Sequence, residues 1–112
     1  MLNVWSLAKD QSIKHVLLRL QSHLGESEFI IEPCDTLHAC AVFLQHRYEP
    51  EYRVYLYTLG QHTNRYAIHL EYPEAMTSVK LIDAYENLTL RSLVDILAVH
   101  FDIAEIKNME VL

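Results

Sequence analysis

Apolar residues return along this chain in two rhythms. Over residues 11–24, Ile13, Val16, Leu17, Leu20 and Leu24 come back at intervals of three and four, the spacing that lines one side of an α-helix. Asp10 or Ser12 can accept hydrogen bonds from the free amides of its first turn, and Gly25 stands where a helix ends in a left-handed residue. The same rhythm resumes after Thr89, a good N-cap. Leu90, Leu93, Val94, Leu97 and Phe101 form a stripe that Ile96 and Val99 widen, which predicts a well-buried helix over about 89–101.

Between the helices the period drops to two. Residues 52–72 read as two alternating arms, rich in β-branched and aromatic side chains, around Gly60 and Asn64, which tolerate positive φ. Val54, Leu56 and Thr58 share one face of the first arm; Tyr66, Ile68, Leu70 and Tyr72 share one face of the second. Setting both apolar faces to the same side requires an odd-numbered loop. The compact solution pairs Val54 with Leu70 and Leu56 with Ile68, leaving Gln61-His62-Thr63 as the loop. The opposite face then carries Arg53 across from Glu71, Tyr55 across from His69 and Tyr57 across from Ala67, although a slip by two residues would keep the same face and re-pair it.

The remaining segments are shorter. Leu2–Leu7 has strand-forming Val4 and Trp5, and Glu26–Glu32 holds a short apolar run ended by Pro33. Val79–Ala84 is a further strand candidate after the connection that follows Pro73. Residues 36–47 fit either a helix capped by Asp35, aligning Leu37, Ala41, Leu44 and Tyr48, or a strand through Cys40-Ala41-Val42-Phe43-Leu44; length and alanine content favour the helix. The tail 102–112 retains Ile103, Ile106, Met109, Val111 and Leu112, and is either docked on the body or offered to a partner.

These elements predict one α+β domain over residues 1–112: a mostly antiparallel sheet of four or five strands, with helices 11–24 and 89–101 packed on one face and a third helix at 36–47. With a first strand and that third helix the opening would run βαβαβ, partly parallel, an order similar to thioredoxin-like topology but lacking its cysteine pair.

Composition narrows the function classes. With 51% hydrophobic and 21% charged residues the chain is an ordinary globular one. Its net charge is −6, and its 9 scattered basic residues never form a run, which argues against nucleic acid and against an anionic membrane surface. The N-terminus lacks the basic start and uninterrupted apolar core of a signal peptide, and no stretch approaches bilayer-spanning length. The expected compartment is the cytoplasm, with Cys34 and Cys40 as thiols.

Candidate chemistry is sparse. The seven histidines lack the close ligand pairs of a zinc site; His38-Ala39-Cys40 is the nearest approach. Cys34 and Cys40 do not make a Cys-x-x-Cys pair, and neither phosphate-binding glycine loops nor hydrolase motifs occur. No metal, cofactor or catalytic residue is expected. The outward hairpin face is the most suggestive surface: Tyr55, Tyr57 and His69 as a platform, with Arg53 and Glu71 fixing a polar partner. Against this stands a plainer possibility, that these are sheet residues covered by the 36–47 segment or simply cross-strand pairs, worth roughly a few tenths of a kcal/mol each. Glu26, Glu28, Glu32 and Asp35 form an acidic edge, which either guards a sheet margin or attracts a basic protein. The expectation is a non-enzymatic, acidic protein-binding or regulatory module, working on another protein or on itself as a dimer. The alternative is a small-molecule binder or enzyme with a pocket built against the 52–72 hairpin, using His69, Tyr55 and Glu71.

Overall fold

The computed structural model describes residues 3–32, 38–73 and 82–112. Two helices, α1 (Gln11–Leu24) and α2 (Leu90–His100), flank a run of five strands in sequence: β1 (Phe29–Ile31), β2 (Ala41–His46), β3 (Arg53–Tyr57), β4 (Tyr66–Glu71) and β5 (Ile82–Leu88). The strands pair in the order in which they occur, each antiparallel to the next. The result is a meander with both helices on one face, the predicted two-layer α+β arrangement.

Alternation along each strand decides what the helices cover. Phe29 and Ile31 of β1, Val42 and Leu44 of β2, Val54 and Leu56 of β3, and Ile68 and Leu70 of β4 all point into the core. There they meet Ile13, Val16, Leu17 and Leu20 of α1 and Leu93, Val94 and Leu97 of α2. The helix ends follow local chemistry. Asp10 accepts from Ser12 N–H at 3.0 Å, and Thr89 accepts from Ser92 N–H at 3.2 Å. Gly25 closes α1 at φ 104°, where an added Cβ would fall 2.8 Å from Glu28 Cγ.

The hairpin register is the expected one, residue for residue: Arg53 opposite Glu71, Val54 opposite Leu70, Tyr55 opposite His69, Leu56 opposite Ile68 and Tyr57 opposite Ala67. The loop is longer than the three residues expected. The ladder opens after Tyr57 and resumes at Tyr66; two turns fill the interval, with Gln61 N–H bonded to Thr58 O and Arg65 N–H to His62 O.

Two expected elements are different in kind. Residues 41–46 form β2 instead of a helix. Val42 and Phe43 favour extended backbone, and this segment finds ladder partners on both sides, in β1 and β3, which outweighs the helix propensity of its alanines. The opening is not a strand either. Asn3 accepts from Trp5 N–H at 3.1 Å, and Ser6 bonds back to Asn3 O through both its N–H and its hydroxyl. These local bonds curl Val4–Ser6 into a 3-10 turn that buries Val4. With neither element in place there is no βαβ unit and no parallel pairing among the described residues. The last strand reaches Leu88, beyond the expected Ala84; residues 79–81, like Cys34 and Asp35, lie outside the described residues.

The tail is docked. His23 and Lys107 exchange hydrogen bonds: Lys107 N–H donates to His23 O at 2.7 Å, and the His23 Nδ1–H donates to Lys107 O at 2.8 Å. Ile103, Ile106 and Leu112 pack against the core behind this tether.

Candidate functional site

The sheet face turned away from the helices is built from the odd-numbered residues of β3 and β4 and their neighbours in β2. Strand alternation places Phe43, Tyr55, Tyr57 and His69 side by side there, because Phe43 pairs with Tyr55 and Tyr55 with His69. Ring centroids are 5.1 Å apart for Phe43–Tyr55, 5.4 Å for Tyr55–Tyr57, 5.7 Å for Tyr55–His69 and 5.5 Å for Tyr57–His69. These are aromatic contact distances, so the four rings form one continuous patch. All four are half-buried by their mutual contact.

Each end of the patch is polar. At one end the Arg53 guanidinium lies 3.5 Å from the Phe43 ring centroid, donates from Nε to Glu32 at 2.7 Å, and stands 3.9 Å from Glu71 Oε1. Glu71 is 8% exposed, an uncommon position for a carboxylate, and the nearby guanidinium helps it to remain there. At the other end the Tyr57 hydroxyl donates to Glu86 at 3.4 Å. Burial, and after it the Glu86 carboxylate, push the Tyr57 phenol above its usual pKa.

All five residues singled out from sequence therefore share one face: Arg53, Tyr55, Tyr57, His69 and Glu71. The alternative, cover by the 36–47 segment, does not hold for its described residues, because β2 lies beside β3 within the sheet, and α1 and α2 pack on the other side. Phe43 belongs to the patch but was not foreseen, since reading 36–47 as a helix removed it from the sheet. The acidic edge is partly spent on internal pairs, Glu32 with Arg53 and Glu28 with Arg47 at 3.5 Å. Cys40 is a free thiol whose N–H donates to His38 Nδ1 at 3.0 Å. No group of three His, Cys, Asp or Glu side chains is placed to hold a metal ion among the described residues. No helix there is long and apolar enough to cross a membrane.

The face is flat and amphiphilic. It offers rings for stacking and edge contacts, an imidazole and two hydroxyls for hydrogen bonds, and a guanidinium held in place by carboxylates. It does not surround a reacting atom, as general acid–base catalysis requires. No protein-family model matches the chain, and no curated protein or solved structure matches it either. Its chemistry is therefore the guide to its use.

Proposed function

We propose that this chain is a non-enzymatic protein-binding module of the cytoplasm whose contact surface is the sheet face opposite its helices. The observation that carries this reading is the continuous Phe43–Tyr55–Tyr57–His69 patch, bordered by Arg53 and left without helical cover among the described residues. Tyrosine and arginine dominate the energetic centres of protein interfaces, because they combine large contact area with a polar end. The patch is also ordered in advance by cross-strand contacts, so a partner would lose little side-chain freedom on docking. Glu32, Glu71 and Glu86 surround the rings, and the chain's charge of −6 adds long-range attraction for a partner carrying basic residues.

The test is a comparison of the double variant Tyr55→Ala/Tyr57→Ala with Val111→Ala, an exposed position of the C-terminal tail. Sedimentation over a range of concentrations and capture from host extract are measured for both. A mass above the monomer, or a defined captured protein, is expected to persist in Val111→Ala and disappear in the double variant. Equal behaviour of the two variants would overturn the assignment of this face.

A further inference from the structure

A second constellation lies on the helix side of the sheet, where α2 ends. Tyr52 and Tyr72 extend the hairpin register by one inward pair, and His100 comes over them from the last turn of α2. Tyr52 and Tyr72 have ring centroids 6.2 Å apart with planes at 78°, Tyr52 and His100 5.6 Å at 71°, and Tyr72 and His100 5.0 Å at 86°. Three mutually steep rings make the corner of a box. All three line a cavity of about 470 Å³, with Tyr85, Asp95 and Val99 also in its wall, a volume within the roughly 300–1,000 Å³ usual for small-ligand sites.

We propose that this box is a binding site for an organic cation with an alkylated ammonium head. Aromatic faces carry negative potential and attract such heads once water is displaced. No lysine or arginine lines the cavity among the described residues, whereas the Asp95 carboxylate does. Asp83 places a second negative charge at Tyr72, accepting from its hydroxyl at 2.8 Å and so fixing that ring. His100 donates from Nε2 to Arg53 O at 3.3 Å, and burial holds its imidazole below the usual pKa, so it forms a neutral wall. Asp95 is paired with Arg91 one turn away at 3.9 Å, but both side chains are more than half exposed, so the pair is a weak one with which a cation in the cavity competes. The site is on the opposite side of the sheet from the Tyr55 face and stands independently of the function proposed for it.

The head group could belong to a free quaternary ammonium compound or to a methylated lysine side chain. Amide chemical shifts followed during titration with choline, with its neutral isostere 3,3-dimethylbutan-1-ol, and with a short peptide containing trimethyllysine separate these cases. Saturable shifts at residues 52, 72, 85 and 95–100 are expected for the cations, with the neutral isostere about tenfold weaker. Tighter binding of the peptide than of choline identifies a protein source, and the reverse identifies a small molecule; either supports the site. Tyr85→Ala and Asp95→Asn replace exposed side chains and leave the core intact; each should weaken cation binding by about three- to tenfold. Equal binding of the isostere, shifts located elsewhere, or no saturation with any cation would overturn the proposal.

Discussion

The two faces of the hairpin are made by alternate residues of the same strands, yet they solve different problems. Val54, Leu56, Ile68 and Leu70 are at most 4% exposed and carry no polar side-chain atom. Arg53, Tyr55, Tyr57 and His69, their immediate neighbours, each combine an apolar body with a polar tip and stay half-buried. A face sealed under helices has no water to satisfy side-chain donors, so aliphatic residues suit it. A face without that cover needs groups that pack and remain hydrated together. The choice between aliphatic and amphiphilic residues thus marks the two sides more sharply than hydrophobicity alone. A one-residue slip in register would exchange them completely.

The most severe way to probe that contrast is truncation at adjacent positions. Leu56 is fully buried between the sheet and the helices, so Leu56→Ala should destabilise the protein by about 2–5 kcal/mol. Tyr55→Ala removes only cross-strand and ring contacts on the other face, and should cost no more than about 1.5 kcal/mol. Urea unfolding of both variants measures the difference. Equal losses would mean that the outward face is core as well, and the distinction between the faces would fail.

Much of this architecture is legible in the sequence because parity constrains a hairpin so tightly. Once Val54 and Leu70 must point the same way, Tyr55 and His69 are forced onto the far face; that they stand opposite each other depends on the register, which a slip by two residues would change. The segment containing β2 was harder, because a short apolar run satisfies helix and strand periods alike. Pairing with β1 and β3 decided it, and that information is not local. Phe43 was lost from the expected patch for the same reason. The box of Tyr52, Tyr72 and His100 draws on three separate segments, yet one signal was within reach: the register that pairs Val54 with Leu70 brings Tyr52 and Tyr72 together at the next inward step. His100 gave no comparable signal, since a histidine in the last turn of a helix reads most simply as a charge facing the C-terminal dipole.

That histidine provides a milder test, confined to the covered side. Burial lowers the His100 pKa; His46 of β2 acts in the same direction, while the Arg53 and Glu71 carbonyls and the Asp83 carboxylate oppose it. The unfolded chain therefore takes up a proton at this imidazole more readily than the folded one. Its contribution to stability is complete above the unfolded pKa of about 6.5 and is lost as the pH falls from there toward the folded value. Urea midpoints should drop between about pH 8 and about pH 5.5, and the drop should be shallower in His100→Gln. Matching slopes in the two proteins would show that some other group sets the acid sensitivity.

The smallest expected effect lies at the polar end of the open face. Arg53 stacks over Phe43 and reaches Glu32 and Glu71, but its side chain is about a third exposed. The Glu32 pair lies close to water, where ion pairs are typically worth roughly a few tenths of a kcal/mol and weaken in salt, and the Glu71 contact is long at 3.9 Å. Arg53→Gln should accordingly cost no more than about 1 kcal/mol at low ionic strength, with much of that difference gone at about 1 M salt. Arg53→Lys keeps the charge but loses the planar group that both stacks on Phe43 and presents several donors in one plane, so it should fall between the two. A larger, salt-independent loss would mean that Arg53 supports the fold as Leu56 does. A small, salt-sensitive loss would instead show that the polar end can change at little cost in stability, unlike the sealed face beneath it.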